Sequence, residues 1–351
     1  MDWKMGNKSP SHIKRLSDGT HVHLFGSEQV GRLHRLFINL QHYILELQIF
    51  NRRSLPPEGM NEFSATNCFK EKYGTCENVI HYGCSTTVRL HCRRTKYTKV
   101  KQLYAVKVFH HYSERTISDA LRLALRRVSC LDHPNIVQVL ELLDDDRGEF
   151  CIVMEYCGAG DLHSMIVTSG KLGDIEANCF FKQLMRAISY IHDNGIAHQN
   201  LNPKDVLLTA HGAVKVAHFT WAQESMQRER DRPLASPESF PYQPPEAISA
   251  RSPDPRAGDI WASALIYMAM KTGHFLWNRA SEQDREFKKY LCTRTDENGY
   301  PPIQRLSKVQ CSYVIYAMLH PEPLRRLSAR EVIRSEWLSS VIVCDAGNSG
   351  M

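Results

Sequence analysis

Seventeen histidines and eleven cysteines are the most conspicuous residues in this 351-residue chain whose side chains could bind a metal or, for cysteine, form disulfides. A zinc site usually shows in a sequence as paired ligands a few residues apart. The cysteines lie singly from Cys68 to Cys344 with no C-x-x-C pair, and neither His110-His111 nor His192 with His198 has a third member at ligand spacing. The expectation is scattered histidines and reduced thiols in a reducing, cytoplasmic setting, with neither a disulfide framework nor a zinc site. Charge gives little more. Forty-four Lys and Arg against 38 Asp and Glu leave +6, and the stretch 226–232 (MQRERDR) alternates in sign, so it reads as a solvated loop and no nucleic-acid partner is expected. There remain one lysine inside an apolar run, Lys107 in YAVKVF, and two polar loops, HQNLNPKD (residues 198–205) and AHFT (residues 217–220).

The elements that must position these groups follow from composition and periodicity. At 42% hydrophobic, 23% charged and 9% aromatic residues the chain is globular, and collagen-like, low-complexity and wholly disordered classes are excluded. Residues 1–72 read as a leader, partly disordered, with one amphipathic helix at 33–50 and a linker at 52–61 (RRSLPPEGMN). From residue 73 short β-prone runs appear at 78–92, 103–110, 136–142 and 150–156, interrupted by one helical period from Ile117 to Leu131. After Gly160 the pattern is helical, clearest at 175–192 and 258–272, with two short β-like pieces at 206–208 and 214–216. The result is an α+β protein, a small β-rich lobe (residues 73–156) before a larger helical one (158–338), closed by a C-terminal tail at 339–351. No secretory signal is read at the N-terminus, and the longest apolar run, 260–270 (IWASALIYMAM), is too short to span a membrane, so no transmembrane segment is expected.

Across residues 73–338 several segments in order resemble the landmarks of protein kinases. They are Tyr104-Ala105-Val106-Lys107, Leu131-Asp132-His133-Pro134-Asn135-Ile136, Met154-Glu155-Tyr156, the loop from His198 to Asp205, Ala217-His218-Phe219-Thr220, Tyr242-Gln243-Pro244-Pro245-Glu246, Asp259-Ile260-Trp261 and Arg326-Leu327-Ser328. The stretches 154–166, 254–277, 284–291 and 320–338 are similar to the fungal serine/threonine kinases that regulate nutrient permeases and potassium uptake. The resemblance implies a bilobal protein-kinase-like fold and a fungal source. It also implies a nucleotide site formed by Gly83, Val88, Ala105, Lys107, Glu155, Tyr156 and Asp205, with adenine received through backbone groups of Glu155 and Tyr156.

Against that family pattern the charged groups of phosphoryl transfer are missing. Asn200 stands where an aspartate would take the substrate proton; an amide has no basic form, and losing a general base typically costs roughly 10²–10⁴-fold. His218 stands where an aspartate would chelate Mg²⁺, and imidazole suits a hard cation poorly. Asn202 replaces a phosphate-neutralising lysine. Ala124 replaces the glutamate that would hold Lys107, which leaves Lys107 either a nucleotide ligand or a strand lysine with a snorkelling stem. Only Gly83 survives of the glycine-rich loop, and Gln199 replaces an arginine that would read a phosphorylated activation segment, where Ser236 and Ser239 stand as phosphorylatable. Asp205 runs the other way: it replaces an asparagine, and is either a single-carboxylate metal ligand or a turn residue. The packing positions are kept: His198 and Phe219 in the spine, Asp259 under the loop, and Glu246 with Arg326 as an ion pair.

Kept packing and lost charge lead to the expectation of a pseudokinase, a scaffold or allosteric regulator in phosphorylation signalling, with a protein partner such as an active kinase or transport regulator. ATP and weakly held Mg²⁺ are compatible with it and not required. The alternatives are a low-activity ATP-dependent serine/threonine kinase using Lys107 and Asp205, or a diverged relative without a selected function.

Overall fold

The structure is a computed structural model that describes residues 13–17, 20–25, 68–83, 86–94, 101–110, 112, 119–218, 237–247 and 254–351. The expected helix at 33–50, the linker at 52–61, Phe219 with Thr220, the stretch 226–232 and Ser236 lie outside these residues. The chain divides into two compact units. One comprises Gly31–Cys130 and Val137–Tyr156; the other comprises Met1–Val30, Leu131–Ile136 and Cys157–Met351.

Near the start of the chain β1 (Ile13–Arg15) and β2 (His21–His23) pair antiparallel, Ile13 opposite His23. They belong to the second unit. Strands of three residues are too short to show alternation, so the sequence reading of residues 1–72 contains neither.

The first unit is built on a five-stranded antiparallel sheet of β3 (Thr75–Tyr82), β4 (Thr86–Arg94), β5 (Lys101–Phe109), β6 (Val139–Asp144) and β7 (Phe150–Glu155), in the order β3-β4-β5-β7-β6. The run read as continuous over 78–92 is a hairpin bent at Gly83, whose N–H donates to the Thr86 carbonyl at 2.7 Å. Alternation along β5 assigns the two faces. Val106 and Val108 turn one way, with Cys151 and Val153, onto Phe69 and Tyr73 of α1 (Cys68–Tyr73). Phe109 turns the other way, with Phe150 and Ile152, onto Leu125 of α2 (Asp119–Ser129). Helix α2 buries Ala124, Leu125 and Val128 while Leu123, Arg126 and Arg127 stay exposed, the stripe the sequence period requires. Glu141 of β6 accepts hydrogen bonds from Lys72 Nζ and Tyr73 Oη and so ties α1 to the sheet edge.

The second unit is helical: α3 (Leu162–Ser169), α4 (Asp174–Asp193), α5 (Pro255–Thr272), α6 (Arg285–Thr293), α7 (Pro301–Gln304), α8 (Val309–Met318), α9 (Ala329–Arg334), α10 (Glu336–Ser339) and α11 (Asp345–Ser349). Helix α5 begins with Asp254 accepting from the Arg256 N–H and Pro255 in the first turn, and ends at left-handed Gly273. Its Tyr267 packs with Phe181 of α4 and Trp337 of α10, ring centroids 4.8–5.4 Å apart. A two-stranded hairpin, β8 (Val206–Leu208) and β9 (Val214–Val216), pairs Val206 with Val216, matching the two short β-like pieces of the sequence. Residues 339–351, set apart in the sequence as a tail, pack into this unit. Asn135 Nδ2 donates to the Gly347 carbonyl at 3.1 Å, Arg186 to Asn348 Oδ1 at 2.9 Å, and Thr209 Oγ1 to the Met351 carbonyl at 2.9 Å. No described helix is long and apolar enough to cross a membrane.

Candidate functional site

The loop from His198 to Asp205 hangs from one buried carboxylate. Asp259, 1% exposed on α5, accepts the His198 N–H at 2.7 Å and the Gln199 N–H at 2.8 Å, with His192 Nε2 2.8 Å from the same group. Those bonds hold Gln199 at φ 66°, a left-handed conformation that costs a non-glycine residue on the order of 1–2 kcal/mol. His198 is buried, and its Nε2–H donates to the Ala217 carbonyl at 2.8 Å, joining the loop to the end of β9.

The β8–β9 register then decides what stands at the loop's two ends. Because Val206 pairs with Val216, Asp205 and His218 lie just beyond the paired ends of the two strands, and the Ala217 N–H donates to the Asp205 carbonyl at 2.9 Å. His218, at φ 64°, places Nδ1 3.1 Å from Asp205 Oδ1. Asn202 donates to the other carboxylate oxygen, Oδ2, and to the Asn200 carbonyl at 3.1 Å, while its Oδ1 accepts the Lys204 N–H at 2.9 Å and caps the turn Pro203–Asp205. Asn200 is exposed. Sequence reasoning placed Asn200, Asn202, Asp205 and His218 at one site, and the structure brings the last three into contact. A Mg²⁺ ion requires oxygen ligands in near-octahedral order; this set offers one carboxylate, both oxygens already approached by nitrogen, and an imidazole, and so does not fit that ion.

In the sheet unit, Val88 is the register partner of Lys107, and Ala105 is the partner of Leu90 and Met154. Val88, Ala105 and Lys107 therefore share one face. Lys107 is 7% exposed with Nζ 5.4 Å from the Phe109 ring centroid. Ala124, the position expected to lack a glutamate, is buried on α2. Gly83 is exposed at the hairpin bend. Glu155 ends β7, its N–H bonded to the Gln138 carbonyl and its carboxylate accepting the Gln138 N–H at 2.8 Å; Tyr156 follows, half-buried.

Elsewhere in the helical unit Arg326 and Glu246 form a bidentate pair at 2.6 and 2.7 Å, with side chains 1% and 9% exposed. The guanidinium also lies 4.8 Å from the Trp261 ring centroid and donates to the His320 and Ala257 carbonyls. Ser239, expected to be open to phosphorylation, is 4% exposed, its segment folded as the helical turn Pro237–Tyr242.

One group departs from the expectation of scattered histidines. His21, His23, Cys179 and Cys344, all buried, bring one ligand atom each within 4.8 Å of one another. They come from β2, α4 and the cap of α11, far apart in sequence, so no local spacing of cysteines betrays them. Only the His-x-His pair, whose members point to one side of a strand, gives a local signal.

The protein kinase domain family matches residues 83–338. The serine/threonine-protein kinase hal4 of Schizosaccharomyces pombe is 40% identical over 291 residues, covering 81% of this chain and 46% of the relative. The serine/threonine-protein kinase HAL4/SAT4 of Saccharomyces cerevisiae is 40% identical over 296 residues, covering 80% and 48%. The probable serine/threonine-protein kinase KKQ8 of the same yeast is 28% identical over 348 residues, covering 88% and 47%. The chain thus spans about half the length of the curated relatives it matches. A crystal structure of Rad53 1-466 in complex with AMP-PNP is similar with a TM-score of 0.58 at 23% identity, covering 78% of this chain and 67% of that one, a likeness of fold.

Proposed function

The chain belongs to the protein kinase family, and on that premise we propose that it acts as a pseudokinase, a cytoplasmic scaffold or allosteric regulator that engages a protein partner in phosphorylation signalling. Asp205 carries this reading. Its carboxylate is bonded by Asn202 on one oxygen and met by His218 on the other, where phosphoryl transfer needs oxygens free for metal. Asn200 beside it has no basic form to take a hydroxyl proton. The partner in this reading is an active kinase or a transport regulator, as the resemblance to the fungal serine/threonine kinases implies.

Two observations favour a second reading, a low-activity ATP-dependent serine/threonine kinase. Lys107 is kept on one sheet face with Val88 and Ala105, and the relatives at 40% identity are named as kinases. The two readings part in one assay, phosphate transfer from labelled ATP with Mg²⁺ by the purified chain beside Lys107→Ala. No transfer above a mock preparation supports the pseudokinase. Transfer that the substitution abolishes overturns it.

A further inference from the structure

The four side chains His21, His23, Cys179 and Cys344 are partnered in a way that a core cluster of ordinary hydrogen-bonding groups is not. Among the described residues His21 Nε2 and His23 Nε2 are buried without a hydrogen-bond partner, and the buried His23 Nδ1 is faced by the Glu176 carboxylate. Buried polar nitrogens left unpaired are uncommon, because each carries a desolvation penalty that nothing offsets. The sulfurs show the opposite: both receive donors. Gln183 Nε2 donates to Cys179 Sγ at 3.3 Å and lies 3.8 Å from Cys344 Sγ, and the Gly347 N–H donates to Cys344 Sγ at 3.3 Å. The thiolate is the form in which cysteine binds metal. The Glu176 carboxylate stands 3.5 Å from His23 Nδ1, 3% exposed, placed as carboxylates are that orient a ligating imidazole.

We infer that His21, His23, Cys179 and Cys344 form a structural zinc site that fastens the N-terminal hairpin and the C-terminal segment to α4. Two imidazoles and two thiolates within one ligand sphere are a donor set for a tetrahedral, borderline-soft ion, and four protein ligands leave no open position for catalysis. Binding Zn²⁺ displaces the two thiol protons to solvent, leaves the imidazoles neutral and changes no oxidation state. The surroundings are shaped for it. A Cβ on Gly212 would come within 2.6 Å of the His23 ring and one on Gly347 within 2.4 Å of the Gln183 amide, so both backbones approach as closely as only glycine allows. The His23 ring stacks on Phe180 at 4.7 Å and fixes its plane. Nothing in this inference depends on whether the chain transfers phosphate.

The test is the metal content of the full chain, purified without chelator and dialysed against metal-free buffer, beside a Cys179→Ser/Cys344→Ser variant and a His21→Asn/His23→Asn variant. One equivalent of zinc in the wild type, lost in both variants, is the expected result. Because the variants can fail to fold, the wild type is also stripped and reloaded with Co²⁺ alone, where visible d–d absorption with a thiolate charge-transfer band marks a tetrahedral site with sulfur ligands. Zinc that both variants retain overturns the inference. So does a Cys179–Cys344 disulfide found by mass spectrometry, and so does a wild type with neither stoichiometric zinc nor the Co²⁺ spectrum.

Discussion

The Glu246–Arg326 clasp and the loop ending in Asp205 lie in the same helical unit, and they treat charge in opposite ways. In the clasp two charges are almost fully buried and satisfied by each other and by backbone carbonyls. At the loop Asn200 is exposed, the His218 side chain is 38% exposed, and the one carboxylate bonds an amide. The lesson concerns which charges folding itself protects. Removing one member of a buried pair strands the other in a low-dielectric interior, whereas a catalytic charge whose partners are metal, phosphate and substrate can be replaced without harm to the apo fold. A kinase fold can therefore keep every buried clasp while its chemistry is dismantled.

The largest test of that contrast is Arg326→Ala, which leaves Glu246 buried and unpaired and should destabilise the unit by about 3–5 kcal/mol in urea melts; a loss under about 1 kcal/mol would break the comparison. Next comes the loop. Replacing Asn200→Asp, Asn202→Lys and His218→Asp together should create a Mg²⁺-dependent stabilisation by ATP of about 2.7 kcal/mol at ~100 times Kd, against a smaller shift expected of the natural sequence. Equal shifts in both proteins would mean that the loop had lost nothing that matters to the nucleotide. Asp259→Asn keeps the shape but exchanges one charge-assisted acceptor for a donor facing the His198 or Gln199 N–H, and should cost about 2 kcal/mol by thermal melting.

A smaller effect concerns a titratable group that burial keeps uncharged. Burial first, then the nearby Arg186 and Lys215, lower the His133 pKa to about 4, and its neutral Nδ1 accepts the Asn135 N–H at 3.0 Å. The unfolded chain takes up this proton near 6.5 and the folded chain only near 4, so stability falls as pH drops through that window. For a partly exposed ring the loss is on the order of 1 kcal/mol. His133→Gln should flatten that stretch of the pH–stability curve, and an unchanged slope would assign it to another group. Smallest is Arg330→Ala. Its pair with Asp193 is 3.0 Å long but 59% and 51% exposed, and its loss should shift stability by no more than about 0.5 kcal/mol.

Much of this was legible in the sequence because it repeats with the period of the element that carries it. The ranges of α4 and α5, the stripe of α2 and the pieces that pair as β8 and β9 follow from apolar spacing and from capping residues such as Asp254, Pro255 and Gly273. The bend at Gly83 was less legible, since the apolar residues of β3 and β4 run on through it. The residue types at Asn200, Asn202 and Ala124 were legible too, because an amide or a methyl group has no ionisable form in any fold, and the His218 imidazole suits a hard cation poorly wherever it stands.

Residue type and order thus determined most of the helices and strands from residue 73 onward and the residue types that the loop carries, since propensity, periodicity and ionisability act locally. Tertiary structure alone decided what those residues touch. It turned Asp205 toward Asn202 and His218, buried Ser239, and gathered His21, His23, Cys179 and Cys344 from three distant segments. Contacts of that kind depend on how sheets and helices close on one another, and no local spacing in a chain encodes the distance between residues that only the packed core brings together.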